Sequence, residues 1–344
     1  LYMKIIYLSR NMKNYKSAMY QQDVIDEFSR QASVLFYGPG FKNFDPNLEI
    51  EKVIKKIGGA DILIVGHSWL IDSPGLSVDP YPNLHLENCP VPKVMILNKQ
   101  YSNLEEKLDW ILKKNFLCGF SHHHDVDILK EKTKVFFKFI PLAFNENLFS
   151  KTNNFDKDID FAFSGLLKNN LNNTGQTNAR ILVMKKLFHC IGDIPVLKRP
   201  KFKNKKLFWN SIPRNGFMRH TATLLKKYNF LNNQDYMKLQ LRSKAFLNTL
   251  SPFGYVTTRY FDSIASKTLI FCEESKNVKK VFPPETYLEF NSDLSDFNEK
   301  FEMATGDGNE RLRIVNSAFE IAFTHHTWKV RISSMITTIR KCLQ

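Results

Sequence analysis

Short apolar runs alternate with amphipathic stretches through the first 144 residues of the chain. The runs are rich in β-branched and aromatic residues and have the length of strands, whereas the stretches between them carry apolar residues at helical spacing. Strands that alternate with helices form a parallel sheet, because each helix returns the chain to the edge where the next strand starts. The pattern therefore predicts a Rossmann-like α/β domain of six strands.

The predicted strands of this domain are Lys4–Leu8, Ser33–Tyr37, Ile62–Gly66, Lys93–Leu97, Leu117–Phe120 and Val135–Ile140. The predicted helices are Ser17–Gln31, Leu48–Ile57, Leu104–Lys113 and Val126–Lys130. Residues 145–159 are rich in Asn, Asp and Lys and show little periodicity, which predicts a linker.

A second alternation follows the linker. Its predicted strands are Asp160–Phe163, Pro195–Leu197, Ala245–Asn248, Thr268–Cys272 and Tyr287–Phe290. Its predicted helices are Ala179–His189, Asn233–Arg242, Thr257–Ala265 and three closing helices after Leu294. We expect two Rossmann-like domains, residues 1–144 and 160–344, on either side of a cleft. Ligands of such sheets bind at the carboxyl ends of the strands, so the search for a site starts in the strand-to-helix loops.

The composition is that of a globular protein: of 344 residues, 43% are hydrophobic and 24% charged, with 14 Gly and 14 Pro. These values exclude disordered, collagenous and low-complexity chains. The charge is unevenly distributed, because residues 1–150 contain 18 basic and 17 acidic residues and residues 151–344 contain 31 and 17. The stretch 198–244 alone has 13 basic residues and one acid, Asp235. It predicts contact with an anionic partner, and the alternative is a solvated basic face.

The cysteines and the apolar runs indicate where in the cell the protein is expected to be. Five cysteines, far apart and without Cys-x-x-Cys or Cys/His spacing, indicate a reduced cytosolic protein and no structural zinc. No apolar run approaches the roughly 20 residues that span a bilayer, and the opening residues lead into polar sequence. We therefore expect a cytoplasmic protein, with peripheral contact at the inner face of a membrane left open.

The segment Leu247–Ser275 carries the strongest chemical signal. A strand ends near Asn248, and a helix opens at Thr257 and Thr258, with Arg259 and Asp262 on one face because they lie three residues apart. The first-turn N–H groups, the hydroxyls and the guanidinium suit a diphosphate, and the carboxylate suits the two hydroxyls of a ribose. The alternative is a Thr-capped helix with a surface Arg–Asp pair.

The stretch Gly254–Phe271 resembles the nucleotide-sugar segment of GT-B glycosyltransferases, in particular the CgeB-like spore glycosyltransferase group. Asp158–Gly165 resembles the strand and turn that open the donor domain of that group, and Phe139–Phe149 resembles its crossover. The stretch His326–Arg331 resembles its closing signature. The resemblance implies a GT-B fold, with closing helices that return to the first domain, and a metal-independent hexosyltransferase-like enzyme. Its donor would be a UDP- or GDP-linked sugar, with no further cofactor.

Two departures from that group concern the mechanism. The group has Glu where this chain has Asp262, which is one methylene shorter. Residue 254 is Gly where many retaining members of the class carry a second Glu. The sequence therefore predicts no stereochemical outcome.

Further donor-site candidates follow from position in the second domain. The predicted diphosphate-binding residues are Ser164, Gly165, Arg180, Tyr255, Thr257, Thr258 and Arg259, and the predicted ribose-binding residue is Asp262. Ser164 and Gly165 let the backbone approach a ligand, and Arg180 begins the next helix. Tyr236 would stack on the base or be a buried tyrosine.

The loop Phe120–Asp125 supplies the candidates for catalysis in the first domain. We expect His123, His124 and Asp125 to provide a general base for the acceptor hydroxyl, and the alternative is a solvated loop. A metal site ranks below both readings, on the ground that adjacent side chains diverge. His67 and Lys99, which follow the third and fourth strands, are the predicted acceptor contacts.

The predicted function is sugar transfer to a hydroxyl on a glycan or a lipid-linked acceptor, in surface-polysaccharide or lipopolysaccharide assembly. Two alternatives stay open: a DNA-modifying glucosyltransferase of the same fold, and a non-catalytic nucleotide or glycan binder. A methyltransferase ranks last, because the first loop lacks a glycine fingerprint.

Overall fold

The computed structural model describes residues 3–13, 19–73, 75–149, 156–167, 179–192, 194–212, 231–251 and 253–344. The chain divides into two units. Unit 1 consists of Leu1–Leu142 and Trp328–Gln344, and unit 2 consists of Ala143–Thr327.

Unit 1 contains a six-stranded parallel sheet, which confirms the six predicted strands. The strands are β1 (Lys4–Leu8), β2 (Ser33–Tyr37), β3 (Ile62–Val65), β4 (Lys93–Leu97), β5 (Cys118–Ser121) and β6 (Phe136–Phe139), in the order β2-β1-β3-β4-β5-β6. The helices are α1 (Met19–Gln31), α2 (Ile50–Lys56), α3 (Leu104–Lys114) and α4 (Val126–Thr133), with 3₁₀ turns at Pro82–Leu84 and Leu86–Asn88.

The core of unit 1 lies on the faces of this sheet. Every residue of β3 and β4 is buried, as expected for central parallel strands that are covered on both faces. The last helix, Trp328–Leu343, also belongs to this unit. Lys138 of β6 donates to Ser334 Oγ and Thr338 Oγ1 of that helix, each at 3.0 Å.

Unit 2 contains a five-stranded parallel sheet in the order β10-β7-β11-β12-β13. Its strands are β7 (Ile159–Leu166), β10 (Leu207–Ile212), β11 (Ser243–Asn248), β12 (Leu269–Glu273) and β13 (Leu288–Phe290), and a separate antiparallel pair consists of β8 (Phe188–Ile191) and β9 (Ile194–Pro200). The helices are α5 (Glu146–Phe149), α6 (Ala179–Leu187), α7 (Asn233–Arg242), α8 (Thr258–Ala265), α9 (Lys276–Lys279), α10 (Phe297–Thr305) and α11 (Asn309–His325), with a 3₁₀ turn at Pro284–Thr286; the last helix of the chain is α12.

Two sequence-based assignments in unit 2 were wrong or incomplete. The predicted helix Ala179–His189 ends at Leu187, and the chain continues directly into β8. Phe188 is buried at the start of that strand, so pairing with β9 prevails over the helical pattern. The unassigned basic segment contains the edge strand β10, whose Trp209 packs on Phe163 with ring centroids 4.6 Å apart.

Each parallel sheet has one point at which the strand order reverses. In unit 1 this switch point lies between β1 and β3, and in unit 2 it lies between β7 and β11. The loops that leave neighbouring strands in opposite directions open a crevice there, and ligands of doubly wound sheets bind in it. The carboxyl ends of β7 and β11 are therefore the first place to look for a site in unit 2.

In the part of the chain that the structure describes, no helix combines the length and the apolar character needed to cross a membrane.

Candidate functional site

Arg180, the second residue of α6, joins the two loops of the unit 2 switch point. Its Nε donates to Thr249 Oγ1 at 2.6 Å, and its Nη1 donates to the carbonyl oxygen of Leu166 at 2.6 Å. Its Nη2 donates to the carbonyl oxygen of Leu250 at 3.4 Å. Leu166 ends β7, and Thr249 and Leu250 follow β11, so one guanidinium holds both carboxyl ends.

Arg259, in the first turn of α8, brings a second guanidinium to the same place. Burial, followed by repulsion from Arg259, lowers the pKa of Arg180 to about 9. A β-carbon at Gly165 would lie 3.3 Å from Arg259 Nη2, so the glycine allows the guanidinium to approach β7 closely. The Arg259 Cζ lies 5.5 Å from the centroid of the Phe163 ring, a cation–π contact. Its Nη1 is buried and has no hydrogen-bond partner among the described residues.

The start of α8 carries a second unsatisfied polar atom. Thr257 occupies the N-cap position with extended backbone, but its side chain does not cap the helix. Its Oγ1 is buried and, within the described ranges, makes no hydrogen bond. The first turn of α8 contains no acidic residue, so the positive end of the helix dipole is not offset by its own side chains.

The loop that leads into α8 is fixed by Ser251. The Ser251 hydroxyl accepts from the backbone N–H of Tyr255 at 3.1 Å, and the Ser251 N–H donates to the Tyr255 carbonyl at 2.9 Å. Gly254 has a φ of +81°, which an L side chain would strain. The departure from the retaining pattern at residue 254 therefore coincides with a turn that requires glycine.

These features together suit the binding of an anion. A buried N–H or hydroxyl without a partner costs about 1–3 kcal/mol, and two guanidiniums side by side repel one another. An anion with several oxygens would satisfy both donors and offset both charges. A diphosphate has those oxygens, and a helix N-terminus is a common place for one.

Tyr236 and Asp262 border the same cluster. Burial raises the pKa of Tyr236, the Asp262 carboxylate raises it further, and Arg259 lowers it, so the hydroxyl lies near both side chains. Gln240 Nε2 donates to that hydroxyl at 2.8 Å, and the Tyr236 ring meets Phe246 edge-on. Asp262 is half-buried, three residues after Arg259.

A buried polar network lies beneath Arg259, and the sequence did not reveal it. Ser263 Oγ donates to Gln240 Oε1 at 3.2 Å, and Asn248 Nδ2 donates to Ser263 Oγ at 3.2 Å. All three side chains are fully buried, and they join α7, α8 and β11. The network fixes α8, and with it Arg259, relative to the sheet. The available signal was that Gln240, Asn248 and Ser263 are polar at positions where the periodicity predicts apolar residues.

In unit 1, His122 and His67 form a buried pair at the carboxyl edge of the sheet. The His122 Nε2 and His67 Nε2 atoms lie 2.5 Å apart, and the rings stack with centroids 4.8 Å apart. His122 Nδ1 donates to the carbonyl oxygen of Ile140 at 2.7 Å. Because a neutral imidazole carries one proton, His122 Nε2 accepts and His67 Nε2 donates. The prediction that His67 contacts an acceptor stays a prediction, and its Nε2 is engaged by His122.

This pair predicts a loss of stability in acid. Burial lowers the pKa of His122 from 6.5 to about 4, and burial and then His122 lower the pKa of His67. The unfolded chain binds these protons more readily, so stability falls as the pH drops below about 6.5. We expect His122 alone to lower the free energy of unfolding by about 2 kcal/mol at pH 5 relative to pH 7. Urea denaturation at the two pH values measures this difference.

The matched control for the pH experiment is His85→Gln, since His85 is exposed on the same unit. The stability difference between pH 7 and pH 5 that the buried pair causes should remain in this variant. An unfolding free energy that is flat between the two pH values would contradict the neutral, buried state of the pair.

The loop after β5 places the other two histidines together. The rings of His123 and His124 stack with centroids 4.4 Å apart, and both are half-buried. His124 Nε2 lies 2.9 Å from Asp125 Oδ1, and His123 Nδ1 lies 3.5 Å from Asp125 Oδ2. The premise that adjacent histidines diverge holds for His122, which turns inward, and is wrong for His123 and His124.

Lys99, the other predicted acceptor contact, forms an ion pair. Its Nζ lies 2.8 Å from Asp72 Oδ2, and its backbone has a left-handed φ of +49°. Asp72 Oδ1 also accepts from Lys107 Nζ at 2.6 Å. Lys107 is buried, and burial lowers the pKa of its ammonium despite the carboxylate. Asp72 therefore holds one exposed and one buried lysine.

Replacing Asp72 by alanine is expected to destabilise unit 1 by about 3 kcal/mol, because it leaves the buried Lys107 ammonium without its carboxylate. The measurement is chemical denaturation of the whole chain. Lys99→Ala is the control, since the exposed partner of such a pair contributes about 0–1 kcal/mol. Equal losses in the two variants would contradict this assignment.

The residues of the predicted closing signature lie in different units. The His326 ring packs on Phe261 and Phe282 in unit 2, at centroid distances of 5.5 and 5.0 Å. The Trp328 ring stacks on Tyr20 in unit 1, and Arg331 Nε donates to the carbonyl oxygen of Pro141 at 3.1 Å. The two rings thus pack against aromatic neighbours, and Arg331 forms a hydrogen bond to the backbone.

All the predicted donor-site residues are described, whereas part of the basic stretch is not. Ser164 Oγ accepts from Asn210 Nδ2 at 3.3 Å on β7, next to Gly165, and Thr258 is half-buried at the first position of α8. Of the basic stretch, Lys205 pairs with Glu302 at 2.8 Å. Four of its members, Arg214, Arg219, Lys226 and Lys227, lie outside the described residues.

Comparison with known proteins identifies the fold. Residues 186–337 match a family model described as "Glycosyl transferase-like". No curated protein matches the sequence. Among the solved structures that match essentially the whole chain, three are described below, each at low sequence identity.

A glycosyltransferase from Rickettsia africae ESF-5 is 12% identical with a TM-score of 0.62, over 100% of this chain and 99% of that one. HepE from Anabaena, solved with UDP-glucose, is 11% identical with a TM-score of 0.62, over 98% of this chain and 100% of that one. An alpha-glucosyltransferase solved with UDP and a 13-mer DNA is 14% identical with a TM-score of 0.61, over 98% of this chain and 100% of that one. These similarities confirm the predicted GT-B fold, whereas the assignment to the CgeB-like group stays a prediction.

Proposed function

We propose that this chain is a glycosyltransferase that takes a sugar from a nucleoside diphosphate and transfers it to a hydroxyl group. The observation that carries the proposal is the pair of unsatisfied buried atoms, Arg259 Nη1 and Thr257 Oγ1, beside Arg180 at the unit 2 switch point. The glycosyltransferase-like family match over residues 186–337 supports the same activity.

In this proposal the donor diphosphate binds at the start of α8. Arg259 and the first-turn N–H groups contact its oxygens, Arg180 adds a second positive charge, and Asp262 accepts hydrogen bonds from the ribose hydroxyls. As the bond from the sugar to the diphosphate oxygen breaks, negative charge develops on that oxygen. The fixed positive groups stabilise it there, and they take the place that a metal ion has in other transferases.

The acceptor side of the proposal rests on unit 1. The acceptor oxygen forms the new bond to the sugar carbon, and its proton passes to an imidazole of the His123–His124 pair. Asp125, 2.9 Å from His124 Nε2, orients that ring and stabilises its protonated form. Lys99 and His67 are the proposed acceptor contacts.

Two solved structures of the same fold guide the choice of donor. HepE was solved with UDP-glucose, and the alpha-glucosyltransferase was solved with UDP. UDP-linked sugars are therefore the first donors to test, followed by GDP-linked ones. For the acceptor we propose a glycan or lipid-linked hydroxyl in surface-polysaccharide or lipopolysaccharide assembly.

DNA is the second candidate acceptor. The alpha-glucosyltransferase of the same fold was solved with DNA, and this chain has a net excess of positive charge in residues 151–344. A DNA-modifying enzyme would bind duplex DNA with an affinity that falls steeply with salt concentration, because phosphate contacts release counterions.

The test is a thermal-shift screen of UDP, GDP, CMP, dTDP and their common sugars, with and without magnesium. A ligand that binds only the folded state raises the melting temperature by mass action. We expect a selective rise with one nucleoside diphosphate and release of that diphosphate from its sugar. Binding without release would favour the non-catalytic binder, and no shift with any compound would contradict the donor site.

A further inference from the structure

A second cluster of potential ligands lies outside the donor site, in the loop between β5 and α4. One nitrogen from each of His123 and His124 and one oxygen of Asp125 all lie within 4.8 Å of one another. Two imidazoles and a carboxylate are the donor set that zinc and its neighbours in the first transition series favour.

The spacing of these atoms can be compared with that of a coordination sphere. Zinc bonds of about 2.0–2.1 Å in tetrahedral geometry place neighbouring ligand atoms about 3.3–3.5 Å apart. His123 Nδ1 lies 3.5 Å from one Asp125 carboxylate oxygen, and His124 Nε2 lies 2.9 Å from the other. His123 Nδ1 also accepts from the Asp125 N–H at 3.2 Å, so side-chain rotations would have to bring the three ligand atoms together around one ion.

The position of Asp125 is a separate observation that favours a ligand. Asp125 is the N-cap residue of α4, where an aspartate ordinarily accepts a hydrogen bond from the helix N–H groups. Its side chain makes no such bond and is directed to the two histidines instead. The helix thus lacks a cap that is typically worth about 1 kcal/mol, and the carboxylate is available to the imidazoles.

The backbone holds the loop in this arrangement. Ser121 Oγ accepts from the His123 N–H at 2.9 Å and contacts the His123 carbonyl at 3.1 Å. The Val126 N–H donates to the His124 carbonyl at 2.9 Å. The two imidazoles are half-buried while Asp125 is 48% exposed, so an ion would have a path from solvent and an open coordination position.

We propose that His123, His124 and Asp125 bind one divalent transition-metal ion, of which Zn²⁺ is the best match to the donors. The ion occupies imidazole lone pairs, so a bound ion and proton transfer by the same imidazole exclude one another. That consequence rests on the proposed function, whereas the binding itself does not require it.

The experiment is a calorimetric titration of the chelator-treated chain with Zn²⁺, without any nucleotide. We expect one equivalent to bind, and we expect His123→Ala, His124→Ala and Asp125→Asn each to weaken binding at least about tenfold. Even the loss of a residue that only hydrogen-bonds to a metal ligand commonly weakens metal binding by about that factor. Unchanged melting temperatures of the variants would show that they fold.

His85→Ala is the matched control, because His85 Nδ1 also lies beside a carboxylate, 3.2 Å from Glu87 Oε1, but has no second histidine nearby in the sequence. It should bind Zn²⁺ with the same affinity as the parent chain.

Co²⁺ serves as the spectroscopic probe of the same site. Absorption bands of nitrogen and oxygen ligands would support the site, and a thiolate charge-transfer band would place the ion on cysteine and overturn the proposal. Absence of binding, or binding that all three ligand variants retain, would overturn the proposal as well.

Discussion

Replacing Arg259 by alanine is expected to weaken nucleotide binding by roughly 10- to 150-fold, because it removes a charge-assisted contact of about 1.5–3 kcal/mol to the diphosphate. The free energy of unfolding of the ligand-free protein should fall much less than the free energy of nucleotide binding. The substitution removes a cation whose Nη1 has no partner among the described residues and relieves the repulsion that lowers the pKa of Arg180. The measurements are calorimetric titration with the nucleoside diphosphate and the melting temperature with and without it.

Two further variants make this prediction specific. Arg259→Lys keeps the charge but loses the planar fork of donors, so it should recover part of the affinity. Arg313→Ala removes an exposed arginine that pairs with Glu310 on α11, and it should leave binding unchanged. An Arg259→Ala protein that binds the nucleotide as tightly as the parent would remove Arg259 from the donor site.

Replacing His123 and His124 together by alanine is expected to lower the transfer rate by about 10²–10⁴-fold, the usual contribution of a general base. Donor affinity should stay unchanged, since Arg180, Arg259 and Thr257 belong to the other unit. Release of the nucleoside diphosphate from its sugar measures the rate, with water as acceptor where no other is known. Asp125→Asn should give a smaller loss, because the rings remain and lose only the orienting carboxylate.

His85→Ala controls this experiment too, as a histidine of the same unit that the mechanism does not use. Full activity in the double variant would exclude both histidines as the base. Loss of donor affinity in the double variant would instead indicate a structural effect on unit 2.

The sequence was informative about the fold because the local pattern and the tertiary structure agree. The six strands of unit 1 are apolar runs bounded by polar loops, and β3 and β4 are buried along their whole length. Where the two levels disagree, the prediction failed. The predicted helix that became α6 extends to His189, but residues 188–191 pair with β9. The strand β10 directly follows the basic run that ends at Lys206, and no strand was predicted there.

For the site, the sequence identified residue types better than their partners. Arg259 and Asp262 follow from helical spacing, and Arg180 follows from its place at a helix start. The contact of Arg180 with Leu166 and Thr249 depends on the strand order, which has no local signal. Likewise, the inward turn of His122 toward His67, fifty-five residues earlier in the chain, depends on two strands meeting at one edge of the sheet.

The most direct test of the central claim is a crystal structure of the protein with the nucleoside diphosphate that the thermal-shift screen selects. The account predicts that the diphosphate lies at the start of α8, within hydrogen-bonding distance of Arg259 Nη1 and Thr257 Oγ1, with the ribose at Asp262. A diphosphate bound elsewhere, with those two atoms still unsatisfied, would contradict it.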